Sequence, residues 1–214
     1  MTITFEDAKT GKQYNSKTDF GLVIASVEIG APDVRSDKVE VPGMDGALDF
    51  TEFFGRPCYG NRQMTISAGF VLSDRFTQES AIRNALHGRK MQITLSDDAD
   101  FYYTGRVTVS SMQKTSRVDQ VELTVDCDPY KRKKQQTVIS QSGSGTVQLS
   151  NLQMPVTPRV TTTAAATLTW LGSSVALSAG ADQLVPALTL EPGVTAVTVE
   201  TTGVVTFTYR EGGF

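Results

Sequence analysis

Apolar and polar residues alternate with a period of two along most of the 214-residue chain, a pattern typical of half-buried β-strands. The alternation is clearest in residues 64–72 and 121–128. On the apolar side lie Met64, Ile66, Ala68, Phe70 and Leu72 in the first stretch, and Val121, Leu123, Val125 and Cys127 in the second. The same pattern predicts further strands at residues 21–29, 91–95, 103–111, 146–150, 159–163, 167–171, 174–177, 187–190, 195–200 and 204–210.

Residues 73–88 carry the helical period instead. Ser73 or Thr77 is a candidate N-cap, and Gly88 is a candidate C-terminal stop. The single histidine, His87, falls in the last turn, where a cation would complement the helix dipole. The apolar stripe of this helix consists of Ala81, Ile82, Ala85 and Leu86.

Composition divides the chain near Lys134. Residues 1–134 contain 18 of the 20 Lys and Arg and 19 of the 23 Asp and Glu, whereas residues 135–214 contain no lysine and are rich in Thr, Val, Ala, Ser and Gly. We therefore predict two domains, 1–134 and 135–214, joined at the segment DPYKRKKQQ. The predicted fold class is mainly β: an N-terminal β-sandwich-like domain with one packed α-helix and an extended arm, then a C-terminal β-sandwich.

Charge and length exclude several classes of protein. A formal net charge of −3 argues against an electrostatic grip on nucleic acid. No run of 18 apolar residues predicts a membrane span, and the N-terminus lacks the apolar core of a signal peptide, so we expect assembly in a cytoplasm. Two cysteines, Cys58 and Cys127, do not form a disulfide framework, and Cys127 is expected to be a buried thiol.

The residues that could carry chemistry all have structural explanations. Asp97, Asp98 and Asp100 could form a calcium loop or a glycosidase pair, but a turn between strands is the preferred interpretation. The basic run 131–134 could contact phosphates or be a solvated linker, which is preferred. Trp170 could stack on a sugar, although it shares a strand face with Leu168 and core packing is preferred. We predict no catalytic, cofactor-binding or metal-binding residue.

Residues 38–64, KVEVPGMDGALDFTEFFGRPCYGNRQM, contain many residues that fix the backbone path. Pro42-Gly43 and Asp45-Gly46 favour turns, and Arg56-Pro57 fixes a further bend. This composition predicts a rigid arm that leaves the sheet, returns, and buries aromatic and Arg residues against a partner. A long loop packed on its own domain is the alternative. The candidate contact residues are Leu48, Phe50, Phe53, Phe54, Arg56, Tyr59 and Arg62.

The stretch VPGMDGALDFTEFFGRPCYGNRQM closely resembles the N-terminal domain of the distal tail proteins of long-tailed bacteriophages, or siphophages. The resemblance extends to residues 20–43, 85–107, 121–134 and 205–214, so it covers most of residues 1–134 and pieces of the remainder. It implies a structural protein of the virion, and the pattern is most similar to phages or prophages of Gram-positive bacteria.

The family resemblance implies a homo-hexameric ring of N-terminal domains and a galectin-like C-terminal β-sandwich on the outside. Such a ring joins the tail tube protein to the tail-tip, or tail-associated, protein at the distal end of the tail, and DNA leaves through its channel. Receptor-binding proteins are further candidate partners. The resemblance implies no cofactor, no membrane and no sequence-specific nucleic acid. At 214 residues the chain has no room for an inserted carbohydrate-binding module.

Two other functions remain open at the level of sequence. One is a carbohydrate-binding adsorption protein that recognises the host surface through the C-terminal sandwich and Trp170. The other is a tail hydrolase that uses the carboxylates at residues 97–100. The non-enzymatic ring is the preferred prediction.

Overall fold

The computed structural model describes residues 1–53, 55–70, 75–113 and 119–214. Most of these residues lie in antiparallel strands, so the predicted mainly β fold class is confirmed. The chain divides into two compact units, Met1–Lys131 and Arg132–Phe214. The change in composition near Lys134 lies just inside the second unit.

The first unit is built on one antiparallel sheet. Its elements are β1 (Ile3–Asp7), β2 (Gln13–Asn15), β3 (Val23–Ile29), β4 (Lys38–Glu40), β5 (Ala47–Asp49), β6 (Arg62–Phe70), α1 (Arg75–Leu86), β7 (Lys90–Leu95), a 3-10 turn (Ser96–Asp98), β8 (Phe101–Gln113) and β9 (Asp119–Cys127). The strand order in the sheet is β2-β1-β7-β8-β9-β6-β3, and a separate pair, β4 and β5, lies outside it.

Alternation along the strands builds the core of this unit, as the sequence predicts. The apolar sides of β6 and β9 face one cluster, while their Thr, Ser and Glu residues point the other way. The predicted apolar residues from Met64 to Phe70 and from Val121 to Cys127 are at most 3% exposed, whereas Leu72 lies outside the described residues. Burial raises the pKa of the Cys127 thiol to about 12, so it packs as an apolar group.

Helix α1 packs on the sheet through fewer residues than the sequence predicts. Ile82, Ala85 and Leu86 are buried, but Ala81 is exposed, because successive helical residues point about 100° apart and Ala81 falls outside the buried stripe. Thr77 lies inside the helix, so it is not the N-cap. The other candidate cap, Ser73, lies outside the described residues.

The end of the helix confirms the predicted stop. Gly88 has φ of +74°, which a glycine that stops a helix can adopt at little cost. His87 Nδ1 accepts a hydrogen bond of 3.1 Å from the backbone N–H of Val109 in β8. This hydrogen bond gives His87 a structural role, because it ties the end of the helix to the sheet.

The second unit is a sandwich of two four-stranded antiparallel sheets. The elements are β10 (Lys131–Lys133), which spans the division between the units, then β11 (Thr137–Ser142), β12 (Gly145–Asn151), β13 (Arg159–Thr162), β14 (Ala166–Trp170), β15 (Ser173–Leu177), β16 (Gly180–Leu184), β17 (Gly193–Thr201), β18 (Val204–Tyr209) and β19 (Gly212–Gly213). The strand orders are β11-β18-β13-β16 and β12-β17-β14-β15. Both sheets contribute buried residues to one apolar cluster that includes Leu149, Leu168 and Phe207.

One predicted strand of this unit is wrong, and the sequence analysis did not predict β10, β11, β16 or β19. Residues 187–190 form only an isolated bridge between Leu190 and Val156, although Leu188 and Leu190 are buried. Strands β11 and β16 carry weak alternation, because Ser, Gln, Ala and Gly occupy positions that larger apolar residues hold elsewhere.

The basic run at residues 131–134 is structured, which corrects its interpretation as a solvated linker. Lys131 Nζ lies 2.9 Å from Asp98 Oδ2. Lys133 Nζ lies 2.7 Å from Oε1 of the buried Glu211. Arg210 donates from Nη1 to the backbone carbonyls of Lys133 and Lys134. These ion pairs and hydrogen bonds hold the run in place. Residues 131–133 form the short strand β10, which the composition of the run does not predict.

The turn after β1 contains a carboxylate whose ionisation is coupled to folding. Asp7 Oδ1 accepts 2.9 Å hydrogen bonds from the backbone N–H groups of Thr10 and Lys9, and Arg89 Nη1 lies 3.1 Å from Oδ2. These contacts lower the pKa of Asp7 from its ordinary 3.8 to about 2. A lowered pKa in the folded state means that the ionised carboxylate stabilises the fold above pH 4, and that this contribution is lost as the pH falls through 2.

We therefore expect Asp7→Asn to be less stable than the wild type at pH 7, with the difference shrinking between pH 4 and pH 2. Urea midpoints of both proteins, measured across this range, test the expectation. A difference that stays constant with pH would assign the contribution of Asp7 to hydrogen bonding without ionisation.

Candidate functional site

The conspicuous surface of the first unit is the arm, defined as residues 30–61, which connects β3 to β6. It contains the hairpin of β4 and β5, with Val39 opposite Leu48. At its base Val34 bridges to Tyr59, and the N–H of Gly60 donates to the carbonyl of Asp33 at 2.7 Å. The described residues of the arm thus form a ribbon that pairs with itself and is separate from the main sheet.

Glycines close the turn of this ribbon. Gly43 and Gly46 have φ of +84° and +80°, values that residues with a side chain rarely adopt. They follow Pro42 and Asp45, which favour turns on their own. The Pro-Gly and Asp-Gly pairs seen in the sequence therefore produce the reversal that brings β5 back beside β4.

The hairpin is amphipathic, and its apolar face is exposed. Cross-strand pairing places Val39 beside Leu48, and the alternation continues to Val41 and Phe50. Lys38 and Asp49 lie on the opposite face, where their charged groups are 4.0 Å apart. The exposed fractions on the apolar face are 46% for Val39, 39% for Val41, 43% for Leu48 and 39% for Phe50.

An exposed apolar face on an ordered hairpin indicates a docking surface. Every residue from Asp33 to Phe50 is exposed, so the arm does not bury this face on its own domain. This excludes the alternative of a loop packed internally. A two-stranded ribbon is marginal by itself and gains stability by packing its apolar face on another surface. The arm can therefore bind a partner.

The predicted contact residues occupy different environments. Leu48, Phe50 and Phe53 are exposed, and the rings of Phe50 and Phe53 meet edge to face at a centroid distance of 6.2 Å. Arg56 is also exposed. Phe54 lies outside the described residues. The role of these side chains in a subunit contact stays a prediction.

Two predicted contact residues lie at the base of the arm instead. Tyr59 is half-buried, and its ring packs edge to face on Tyr130 at 6.0 Å. Arg62 is only 5% exposed, and its guanidinium stacks over the ring of Tyr103 at 4.8 Å. Arg62 falls on the core side of β6 and is buried within its own unit, and its part in a subunit contact stays a prediction. Sequence reasoning grouped it with the arm because it follows Gly60-Asn61.

Sequence reasoning also missed part of the apolar face. Val39, Val41 and Met44 are 39–46% exposed on the hairpin, yet Leu48 was the one aliphatic residue selected beside the aromatic and Arg residues of this stretch. The alternation of residues in KVEV and in ALDF, on the two sides of the turn, would have placed Val39, Val41, Leu48 and Phe50 on one face of a hairpin.

The other candidate residues have structural roles. Trp170 is 6% exposed within the core of the second unit, so its ring is not a sugar-stacking platform. Asp97 and Asp98 belong to the 3-10 turn, where Asp98 pairs with Lys131. Among the described residues no group of three or more His, Cys, Asp or Glu side chains could hold a metal ion. Helix α1, with 12 residues, is too short to span a bilayer, and none of the described residues form a longer apolar helix that could do so.

The sequence matches no protein-family model and no curated protein. Among solved structures, the chain is similar to the crystal structure of the Dit (gp 19.1) protein of phage SPP1, described as a paradigm of the hub adsorption apparatus in phages that infect Gram-positive bacteria. The two chains share 17% sequence identity with a TM-score of 0.69, over 97% of this chain and 98% of the other. At this identity the likeness establishes a shared fold along both units.

Proposed function

We propose that this chain is a structural protein of the tail tip of a long-tailed phage, where its first unit forms a homo-hexameric ring. The observation that carries the proposal is the exposed apolar face of the arm, in a chain that has the fold of the SPP1 Dit protein along nearly its whole length. The ring joins the tail tube to the tail-tip apparatus, and DNA passes through its channel. The proposed role is non-enzymatic.

The geometry of the arm suits a closed ring. A ring arises when a surface on each subunit binds a different surface on the next one and the rotation closes. An arm that projects from its own domain supplies one of these surfaces without rearrangement of the core. The proposed contact surface comprises Val39, Val41, Leu48, Phe50 and Phe53, with Arg56 beside it.

The proposed partners follow from the place of such a ring in the virion. One face contacts the tail tube protein and the other the tail-tip protein, and assembly takes place in the host cytoplasm. The sandwich of the second unit serves as a docking platform for adsorption proteins. Recognition of sugar by this sandwich is not favoured, because Trp170, its one tryptophan, is buried in the core.

The location in the virion is tested by immunogold labelling of intact particles with antibodies raised against residues 135–214. We expect gold at the distal end of the tail, with the tube itself unlabelled. Labelling along the tube, on the capsid or nowhere on the particle would contradict the proposed position. Antibodies to the tail tube protein serve as the positive control.

A further inference from the structure

Arg62 carries a buried charge. The residue lies on the core side of β6 and is only 5% exposed. Its guanidinium stacks over the ring of Tyr103, but Nε and Nη2 are buried and have no hydrogen-bond partner. None of the ion pairs among the described residues includes Arg62. A cation–π contact offsets only part of the cost of removing a charge from water, so this guanidinium lacks a counter-ion.

The two unused donors lie on one edge of the guanidinium. Because the group is planar, the Nε–H and one N–H of Nη2 point in the same direction. This edge matches two oxygens of a carboxylate or a phosphate, which arginine binds through two parallel hydrogen bonds. Stacking on Tyr103 orients the plane of the group and leaves this edge unused.

The groups nearest to Arg62 do not neutralise it. Cys127 lies opposite Arg62 in the register of β6 and β9, but burial raises the pKa of its thiol to about 12. Burial also raises the pKa of Tyr103, so the thiol and the phenol are both uncharged at pH 7. The second cation beside Tyr103 is Lys131, and its Nζ already pairs with Asp98 Oδ2 at 2.9 Å. Two cations and one carboxylate leave a net charge of +1 in this cluster.

The carboxylates on either side of Cys127 are engaged elsewhere. Asp126 belongs to the exposed side of β9, opposite to the core side, and accepts a hydrogen bond of 3.0 Å from Asn61 Nδ2. Asp128 lies 3.7 Å from Lys90 Nζ. The described part of the first unit therefore supplies no counter-ion to Arg62, and a group from outside the chain can fill that role.

We propose that Arg62 is the receptor of an oxyanion, a carboxylate or a phosphate, that binds at Nε and Nη2. The aliphatic stem of an arginine stays packed while its head group moves toward water, so an anion reaches this edge without disruption of the core. Two sources supply this chemistry: a small anion from solution and a carboxylate side chain of a neighbouring chain. The site itself stands whether or not the chain forms a ring.

Thermal unfolding of the full chain at low concentration tests the site independently of assembly. We expect inorganic phosphate or acetate, exchanged for chloride at constant ionic strength, to raise the unfolding temperature of the wild type by about 2 °C or more. Arg62→Met keeps a long side chain but removes the charge and the donors, so it should lose this increment. Arg83→Met is the matched control and should keep it, because Arg83 is exposed and pairs with Glu79.

The ¹⁵Nε resonance of Arg62 reports binding directly and is assigned by its absence from the spectrum of Arg62→Met. We expect phosphate or acetate to shift this resonance with saturation, because the anion accepts a hydrogen bond from that N–H. The resonance of Arg83 serves as the internal reference and should not saturate. An arginine that only packs on Tyr103 would give no saturable shift.

The concentration at which half of the protein is assembled separates the two sources of the oxyanion. For a carboxylate of a neighbouring chain, Arg62→Met should raise this concentration by about tenfold or more, and phosphate should compete with wild-type assembly. For a small anion, Arg62→Met should assemble as the wild type does. An equal thermal response of wild type and Arg62→Met to phosphate, with no saturable ¹⁵Nε shift and unchanged assembly, would overturn the oxyanion site. A chain that never assembles would overturn the ring alone, since the thermal and ¹⁵Nε measurements then decide on the site.

Discussion

Replacing Leu48 and Phe50 together by aspartate is expected to abolish ring assembly while the chain stays folded. Both side chains lie on the exposed apolar face of the arm, so their loss leaves no cavity in the core. A partner can bury only the exposed two-fifths of each side chain, worth about 1 kcal/mol apiece. The two new carboxylates would add the cost of burying charge, so each subunit contact loses roughly 3 kcal/mol or more. That loss lowers the association constant of each contact by more than about a hundredfold.

Size-exclusion chromatography with light scattering measures the assembly, and thermal unfolding checks the fold. The matched control is Val138→Asp, because Val138 is 60% exposed but belongs to a strand of the second unit. Normal rings formed by the Leu48→Asp and Phe50→Asp double variant would remove the arm from the contact. Loss of assembly in the Val138→Asp protein as well would indicate that any added surface charge disturbs the ring.

The largest expected effect on stability is that of Leu123→Ala. Leu123 is 0% exposed in the centre of β9, between Ile66 of β6 and Val109 of β8. Removing its side chain should lower the free energy of unfolding by about 2–5 kcal/mol through lost burial and a residual cavity. Leu48→Ala removes the same atoms from the arm, and its effect should stay within about 0.5 kcal/mol.

Urea denaturation of the monomeric form measures both variants under identical conditions. Because the substitution is the same at both positions, a difference in unfolding free energy between the two variants reports the difference in burial of the two leucines. Equal destabilisation by the two substitutions would mean that the arm packs on its own domain in solution. That result would remove the exposed apolar face on which the proposed function depends.

The strands that the sequence predicts well are those with large apolar residues at every second position. In β6 and β9 the core positions hold Met64, Ile66, Leu123 and Val125, and the polar residues between them leave one possible orientation. Strands β11 and β16 lack this contrast, and their positions are set by hydrogen bonding to neighbours such as β18 and β13. At Leu188 and Leu190 the sequence predicts a strand that does not form. Both residues are buried, because residues in irregular segments can also pack into a core.

The arm could be predicted as an extended segment but not in its details. Turn residues such as Gly43 and Gly46 mark the reversal of the chain whatever the partner is. Whether an aromatic or Arg side chain faces outward depends on its strand position, and Arg62 proved to be the first core residue of β6.

The mass of the purified wild-type protein in solution, together with negative-stain images of the same sample, tests the central claim most directly. We predict an assembly of six copies of the 23.1-kDa chain, 138.6 kDa in all, seen as a ring with an open centre. A chain that remains a monomer at every concentration and in the presence of its tail tube would contradict the ring.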